Sequence, residues 1–419
     1  MNWHGVLPER WETHKISELF AERREKVSDT DFAPLSVSKG GIVPQIATVA
    51  KSNAGDNRKL VRKGDFAINS RSDRRGSSGV SQYDGSVSLI NIVLTPRSET
   101  NGKYWHYFLK SHNFIEEYYR NGRGIVADLW TTRLSEMKTI YLPLPPRDEQ
   151  DQIVRYLDWK VSGINRLINA KRRQIALLGE QKQAIIDKTI VSTKAETIRL
   201  KYVANVFIGL TYSPADLTNE NMGTAVLRAN NIQNGKLVWD NMAYVKCNVP
   251  EKLLLRKGDI LVCSRNGSRS LIGKCGKVTN EFSGKTFGAF NTVVRSEHSE
   301  YLYYIFHSQF FTTQAGAYST STINQLTLGM FNAMSFPFPS KEKQESTILF
   351  LDEQCANIDK IIEKLNNEIS LFAEYRTRLI SDIVTGKIDV RGVVVPEFEA
   401  VEDTTETINE NEIMEDEQL

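Results

Sequence analysis

The sequence predicts an α+β protein in which two similar α/β domains are separated by two long helices that form an antiparallel coiled coil. Three observations lead to this prediction. Residue patterns recur at one constant offset, each repeat ends in a Pro-x-Pro turn, and a heptad pattern of apolar residues follows each turn. A pseudo-twofold internal duplication accounts for all three, because it gives each half of the chain one mixed domain and one long helix.

The duplication has an offset of 194 residues. Residues 62–65 and 256–259 both read Arg-Lys-Gly-Asp, and the Pro-x-Pro turns at 143–145 and 337–339 keep the same offset. Short β-rich runs and aromatic helical patches lie between these landmarks. We therefore predict a first α/β domain at 1–145, a helix at 146–192, a second α/β domain at 193–338, a helix at 339–392 and an acidic, disordered tail at 393–419.

An apolar residue recurs every 3.5 positions in both helical stretches, which is the spacing of a coiled coil. The a and d positions of these heptads form the predicted seam. Lys171, Lys182 and Thr189 interrupt the seam in the first helix, and Arg376 interrupts it in the second. Because neither helix can bury its apolar stripe alone, the two most simply pack against each other. The predicted seam residues are Leu157, Ile164, Ile168, Ile175, Leu178 and Ile185 in the first helix, and Leu351, Ile358, Ile362, Leu365, Ile369, Phe372 and Leu379 in the second.

The charge of the chain is unevenly distributed. The net charge is +2, but residues from Glu397 onward hold ten acidic residues and no Lys or Arg, so residues 1–396 carry about +12. A basic body with an acidic, aromatic-poor tail favours a polyanionic partner, and a merely solubilising surface is the alternative. No stretch is long and apolar enough for a membrane span or a secretory leader, so we expect a cytoplasmic protein without a membrane partner.

No motif for catalysis or for cofactor binding is present. The chain lacks a phosphate loop, a dinucleotide-binding glycine motif, the Asn/Asp-Pro-Pro-aromatic motif of adenine methyltransferases, a nucleophile elbow and an HExxH zinc motif. The four cysteines, Cys247, Cys263, Cys275 and Cys355, have no zinc-binding spacing. We therefore expect a noncatalytic chain with no metal site and no bound cofactor.

A basic loop follows the Arg-Lys-Gly-Asp turn and its strand in each half. We call residues 69–79 the first arginine loop and residues 263–270 the second arginine loop. Arginine can bind guanine through two hydrogen bonds, asparagine can bind adenine, and serine suits phosphate, so both loops are candidate DNA contacts. Solvated hairpin loops are the alternative. The candidates are Arg71, Arg74, Arg75 and Ser77 in the first loop, and Arg265, Asn266, Ser268 and Arg269 in the second.

Two further groups of polar residues are weaker candidates for DNA contacts. Arg123 in the first half and Thr320 and Thr322 in the second half precede the Pro-x-Pro turns. Arg228 and Asn230 lie in a segment that occurs only in the second half and could equally form a buried turn.

These features resemble the specificity subunit of type I restriction–modification enzymes. The resemblance rests on the motif at 142–150, Leu-Pro-Leu-Pro-Pro-Arg-Asp-Glu-Gln, on its weaker copy at 336–344 and on the block Lys-Gly-Asp-Ile-Leu-Val at 257–262. It extends over residues 5 to about 392. Lys343 replaces the expected Glu in the second copy, and Phe-Ala-Ile-Asn at 66–69 stands where Ile-Leu-Val is typical. Such differences are compatible with two recognition domains of different sequence preference.

The resemblance implies a noncatalytic subunit with two target-recognition domains, each reading one half of a bipartite site on double-stranded DNA. The coiled coil would set the spacer between the half-sites and dock two methyltransferase subunits, and two restriction/translocase subunits could join. The assembled complex would be an adenine-N6 DNA methyltransferase and an ATP-dependent endonuclease. S-adenosylmethionine, ATP and magnesium would enter through the partners. The alternatives are a coiled-coil scaffold whose β-rich modules bind proteins, and a stand-alone DNA enzyme.

Overall fold

The structure, a computed structural model, describes residues 3–45, 55–97, 101–124, 130–318 and 325–403. The chain divides into two compact units. Unit 1 holds residues 1–173 and 365–419, and unit 2 holds residues 174–364. Each unit therefore combines one α/β domain with one part of each long helix.

Unit 1 is built on short antiparallel sheets. A four-stranded sheet has the order β2-β10-β7-β8, β1 pairs with β11, β3-β6-β9 form a three-stranded sheet, and β4 pairs with β5. The strands are β1 Glu12–Lys15, β2 Phe20–Glu22, β3 Lys26–Val27, β4 Leu35–Val37, β5 Ile42–Pro44, β6 Arg58–Val61, β7 Phe66–Asn69, β8 Ser78–Val80, β9 Gly85–Val87, β10 Asn91–Pro96 and β11 Tyr141–Leu144. The helices are α1 Ile16–Leu19, α2 Gly102–Leu109, α3 His112–Arg120, α4 Leu134–Met137 and the long helix α5 Arg147–Ser192.

Unit 2 repeats the central part of this arrangement. Its four-stranded sheet has the order β13-β22-β19-β20, and β12 pairs with β23. A second sheet, β14-β18-β15-β21, and the hairpin β16-β17 complete it. The strands are β12 Thr197–Arg199, β13 Asn205–Ile208, β14 Leu217–Thr218, β15 Thr224–Leu227, β16 Ile232–Gln233, β17 Lys236–Leu237, β18 Ala243–Val245, β19 Ile260–Cys263, β20 Cys275–Lys277, β21 Thr286–Phe287, β22 Asn291–Arg295 and β23 Ser335–Pro337. The helices are α6 Ser299–Phe306, α7 Gln309–Tyr318, α8 Leu328–Ala333 and the long helix α9 Lys341–Val384.

The aromatic patches noted in the sequence form the core of each unit. In unit 1, Trp105 and Phe108 of α2 and Phe114 of α3 pack in one cluster with the side chains of β7. In unit 2, Tyr301 and Phe306 of α6 pack with residues of β19. Burial of several aromatic rings in each cluster supplies a large apolar area, so each four-stranded sheet has a helical layer on one face.

The repeated Arg-Lys-Gly-Asp sequence forms the turn that leads into the central strand. Gly64 and Gly258 have φ values of +91° and +89°, which only glycine adopts without strain. The buried carboxylates of Asp65 and Asp259 accept the backbone N–H of the residue three positions earlier, at 2.8 Å and 2.9 Å. Each aspartate also binds an arginine, Arg23 in unit 1 and Arg295 in unit 2.

The Pro-x-Pro motif also has a direct structural role. The side chain of Gln150 donates to the carbonyl of Pro145 at 2.9 Å, and Gln344 donates to Pro339 at the same distance. These bonds satisfy a carbonyl that the helix cannot reach, and they fix the turn at the start of α5 and α9. In both units, the motif thus provides a side-chain hydrogen bond that holds the turn against the first turn of the long helix.

The two long helices pack side by side in opposite directions, as predicted. In unit 1, Lys171 of α5 pairs with Glu368 of α9, and Arg376 donates to Asn165. In unit 2, Lys182 and Asp359 form an ion pair of 2.6 Å. Every predicted seam residue is buried or half-buried. The polar seam residues Lys171, Lys182 and Arg376 thus bind partners across the pair, as buried charges require.

The C-terminal segment differs from the predicted disordered tail. Residues 393–403 lie along α5 in unit 1, and their main-chain groups hydrogen-bond to Gln152, Ser162, Asn165 and Asn169. For this part of the tail, contacts to helix side chains replace disorder. Residues 404–419 lie outside the described residues. Among the described helices, none combines the length and apolar character needed to cross a bilayer.

Candidate nucleic-acid interface

The two arginine loops leave the same position of the repeated fold. The first follows β7 and the second follows β19, the equivalent inner strands of the two four-stranded sheets. Ser70 accepts the backbone N–H of Thr132 at 2.9 Å, and Ser264 accepts that of Leu326 at 2.7 Å. Both pairs are related by the 194-residue offset. Arg71 and Arg265, each one residue further along, are therefore equivalent.

The first arginine loop exposes its arginines, and acidic side chains lie close to Arg71 and Arg75. Arg71 forms an ion pair of 3.2 Å with Asp73, and Arg75 pairs with Glu116. The Arg75 guanidinium also lies 5.6 Å from the ring centre of Tyr119. Arg74 is exposed beside them. Three positive groups therefore reach solvent here, with part of their charge offset by neighbouring carboxylates.

Ser77 does not fit the prediction of a DNA contact. Its side chain is only 5% exposed, and its backbone closes the loop, since its carbonyl accepts the N–H of Asn69 and its N–H donates to Arg74. Serine is polar, but here its position next to β8 places it inside. The buried position removes it from any surface that could bind DNA in this conformation.

The structure brings Arg123 to the first arginine loop. Arg123 and Thr131 exchange two backbone hydrogen bonds of 3.2 Å and 3.0 Å, and Thr131 forms a β-bridge to Arg71. The Trp130 carbonyl accepts the N–H of Ser72 at 2.9 Å. An open cavity of about 620 Å³ lies between this segment and α3, with Arg75, Arg120, Tyr119 and Trp130 in its lining. Guanidinium groups beside aromatic rings are typical of nucleic-acid contacts.

The second arginine loop presents its charge with less compensation. The Arg265 guanidinium lies 5.1 Å from the ring centre of Phe290. Arg269 is exposed and forms no side-chain ion pair within the described part of the chain. Asn266 accepts the N–H of Ser268 at 2.9 Å, and the Ser268 hydroxyl bonds to Ser270 at 2.9 Å. Asn266 and Ser268 thus hold the loop in shape, which leaves the two arginines as its projecting groups.

An exposed apolar residue is bonded through the backbone to the start of each arginine loop, and sequence reasoning missed both. Phe290 is 58% exposed, and its carbonyl accepts the backbone N–H of Arg265 at 2.9 Å. In unit 1, Ile90 is 42% exposed, and its carbonyl accepts the N–H of Ser70 at 3.3 Å. The available signal was an apolar residue directly before the asparagine that starts β10 and β22. Each domain therefore has an exposed apolar residue bonded to the start of its arginine loop, and in unit 2 this residue lies against the arginine.

The candidates specific to the second half form a turn. The half-buried Arg228 donates to the carbonyl of Asn241, and Asn230 donates to the carbonyl of Asp240 at 3.0 Å. Asn231 caps the turn by accepting the N–H of Arg228 at 2.9 Å. The side chains of Arg228 and Asn230 thus bond within a local turn, in which Arg228 is half-buried and Asn230 is exposed. Thr320 and Thr322 lie outside the described residues.

A cavity of about 500 Å³ underlies the second arginine loop, but its reactive groups are not activated. Arg269, Lys274 and His307 contribute to its lining. Burial lowers the pKa of His307, and burial raises the pKa of Cys275 to about 12. Since the thiol stays protonated, Cys275 is not a nucleophile at neutral pH. Within the described ranges, no three His, Cys, Asp or Glu side chains are grouped to hold a metal ion.

Comparison with known proteins relates the chain to one family. The family model "Type I restriction modification DNA specificity domain" matches residues 8–177 and 193–371. A relative, the type I restriction enzyme StySPI specificity subunit of Salmonella potsdam, is 27% identical over 199 residues, which is 46% of this chain and 43% of that protein. The MjaVIII specificity subunit of Methanocaldococcus jannaschii is 22% identical over 281 residues, 61% of this chain and 64% of that protein.

A third relative is also a specificity subunit, and one solved structure has a similar fold. The EcoKI specificity subunit of Escherichia coli K12 is 26% identical over 193 residues, 44% of this chain and 41% of that protein. The matches thus span about two-fifths to two-thirds of the relatives' lengths. A chain from a structure on complex assembly and conformational transition of the type I R-M system has a TM-score of 0.58 at 14% identity, and the match covers 91% of this chain and all of that one. With two copies of the family domain over most of its length, the protein belongs to the type I restriction–modification specificity subunits.

Proposed function

We propose that this chain is the DNA-reading subunit of a type I restriction–modification complex, and that each α/β domain reads one half of a bipartite target. One observation carries the proposal: the same position of both repeats holds an exposed arginine, Arg71 or Arg265, directly after a serine whose backbone N–H donates to an exposed apolar residue, Ile90 or Phe290. Arginine can bind the O6 and N7 atoms of guanine in the major groove, and an apolar neighbour can contact a thymine methyl group.

The remaining exposed cations suit the phosphate backbone. Arg74 and Arg123 flank Arg71, and Arg269 follows Arg265. Contacts to phosphate position a protein on the duplex without reading its sequence, whereas contacts to base edges give specificity. We therefore assign base reading to Arg71 and Arg265 and phosphate binding to the flanking arginines.

We further propose that the paired helices dock two methyltransferase subunits and set the spacer between the half-sites. Large apolar side chains outside the seam support a protein partner, since Leu177 and Leu349 in unit 2 and Leu371 in unit 1 are more than half exposed. Two restriction/translocase subunits would complete the complex in the cytoplasm. S-adenosylmethionine, ATP and magnesium would then act in the partner subunits, and this chain would supply no catalytic group.

The competing scaffold hypothesis predicts protein-binding modules without DNA specificity. The match of both halves to a DNA specificity domain does not favour it. The DNA-reading proposal adds that each half of the recognised sequence depends on its own domain, which a scaffold cannot imitate.

The test maps methylated sites in cells that carry this chain with its partner subunits. Arg265→Ala should relax one specified base pair in one half-site, with at least about a fivefold loss of discrimination, because a bidentate contact contributes about 1–3 kcal/mol. Arg71→Ala should affect only the other half-site. Arg24→Ala, which removes an exposed arginine outside both loops, is the control and should leave the motif intact. An unchanged motif in both loop variants would refute the assignment.

A further inference from the structure

Residues 393–403, which we call the C-terminal strap, bind along one face of α5. The Gln152 side chain donates to the carbonyl of Val393 at 2.7 Å, and Asn169 donates to that of Glu402 at 2.9 Å. Between them, Asn165 donates to the carbonyl of Val401 at 2.9 Å. The strap thus runs in the direction of α5. The stretch of α5 from Gln152 to Arg172 rises by about 30 Å over twenty residues. The ten residue steps from Val393 to Asp403 span ~33 Å when extended, so the strap is about as long as the helix surface it binds.

Asp403 ends the described strap in a buried ion-pair network. Its side chain is 6% exposed and accepts hydrogen bonds from Arg172 of α5 and from Arg376 of α9, the latter at 2.9 Å. Arg376 is the polar residue that interrupts the predicted seam of α9. A guanidinium in a seam loses water, and it is tolerated when a carboxylate and further acceptors compensate for the lost hydration.

The internal duplication indicates why a strap is needed in unit 1. With the 194-residue offset, Asn165 corresponds to Asp359 and Arg376 corresponds to Lys182. In unit 2, the helices supply both charges themselves, because Lys182 pairs with Asp359 at 2.6 Å. In unit 1, the equivalent acid is a neutral asparagine, which still accepts a hydrogen bond from Arg376. Asp403 of the strap supplies a negative charge to Arg376 here.

We propose that the coiled coil of unit 1 contains a binding site for an extended acidic peptide, and that the chain's own residues 393–403 are its ligand. Three asparagine or glutamine side chains of α5 bind the strap backbone, and two arginines bind the side-chain carboxylate of Asp403. Through Asp403, the strap binds both Arg172 of α5 and Arg376 of α9 and so connects the two helices. This role is independent of DNA binding, and it makes part of the acidic tail a component of the helix pair.

The experiment uses the full chain and compares Asp403→Ala with Asp403→Ala combined with Asn165→Asp. Asp403→Ala should lower the thermal midpoint by about 5 °C, because one partner of a buried network is removed. It should also speed cleavage after Glu399 by a glutamate-specific protease at least tenfold. Asn165→Asp gives Arg376 the acid that Lys182 already has. The double variant should therefore regain the midpoint while its strap stays as easily cleaved.

Glu402→Ala is the matched control, since it removes an exposed acidic side chain next to Asp403. Its midpoint and its cleavage after Glu399 should equal those of the unmodified chain. Equal effects of Glu402→Ala and Asp403→Ala would contradict the proposal, because the strap would then depend on its overall negative charge and not on a specific site for Asp403. An unchanged thermal midpoint in Asp403→Ala would also overturn it. Failure of Asn165→Asp to restore the midpoint would contradict the assigned partnership with Arg376. If Asp403→Ala does not fold, Asp403→Asn can replace it in both comparisons, because asparagine keeps the shape of the aspartate side chain and removes its charge.

Discussion

At the scale of single residues, burial decides which polar groups support the fold and which remain for binding. Asp65 and Asp259 are almost fully buried and each binds one arginine, whereas Arg71 and Arg265 project from the next loops. A buried carboxylate needs every partner it has, because removing one leaves an uncompensated charge. The repeated aspartates therefore support the fold, and the repeated arginines remain exposed and available for binding.

His106 of α2 should make the folded state sensitive to acid. Its Nδ1 atom accepts the backbone N–H of Val80 at 3.4 Å, and burial lowers its pKa from 6.5 to about 4. The unfolded chain therefore binds more protons between pH 6.5 and 4, so stability is lost as the pH falls through this range. We expect His106 to account for a loss of about 2 kcal/mol between pH 7 and 5.

The measurement is urea unfolding at both pH values, with His106→Gln as the comparison. Glutamine keeps a hydrogen-bond acceptor but does not titrate, so the variant should lose about 2 kcal/mol less than the unmodified chain. Equal losses in the two proteins would show that His106 is not the titrating group.

At the scale of elements, the helices could be predicted from the sequence and the strap could not. A seam repeats every 3.5 residues, so its burial follows from local spacing, and every predicted seam residue is at least half-buried. The strap has no internal period, and its acidic residues have the composition of a disordered tail. Its order comes from Asn165, Asn169 and Arg172, which lie more than 200 positions away. Two-residue strands such as β3 and β14 were equally unpredictable, because only their distant partners define them.

The arginine loops could be predicted only in part. The similar basic composition of the two loops made Arg71 and Arg265 candidates, and their role in DNA contact stays a prediction. The burial of Ser77 and the exposure of Phe290 depend on how β8 and β22 pair with their neighbours. Such pairing is a tertiary effect that residue type alone does not determine.

Burial in the seam should also decide what each helix residue contributes to stability. Ile168 is fully buried in the core of unit 1, so Ile168→Ala should lower the free energy of unfolding by about 2–5 kcal/mol. Leu177, on the same helix, is 62% exposed, so Leu177→Ala should change it by less than about 0.5 kcal/mol. Urea unfolding followed by circular dichroism measures both. Similar losses for the two variants would show that the seam is not the main source of helix stability.

At the scale of the whole molecule, duplication gives one chain two α/β domains, which the proposed function makes two DNA readers. The central sheets of the two units share one strand order, while the surrounding strands differ. A shared frame keeps each arginine loop at the end of its inner strand, and the different surroundings allow different half-sites. Under the proposed function, two tethered readers would also make the second DNA contact effectively intramolecular, which would raise affinity without any new contact.

The length of the helix pair should then set the distance between the half-sites. Seven residues inserted after Arg173 in α5 and seven after Asn366 in α9 would preserve the heptad phase and lengthen both helices by about 10 Å. Because base pairs are spaced by about 3.4 Å, the recognised spacer should lengthen by about three base pairs, with both half-site sequences unchanged. Mapping of methylated sites with the partner subunits present measures the spacer length.

Insertion into α5 alone is the control and should disrupt the seam, because the apolar stripes of the two helices would no longer face each other. An unchanged spacer in the double insertion would mean that contacts other than the helices fix the separation of the half-sites.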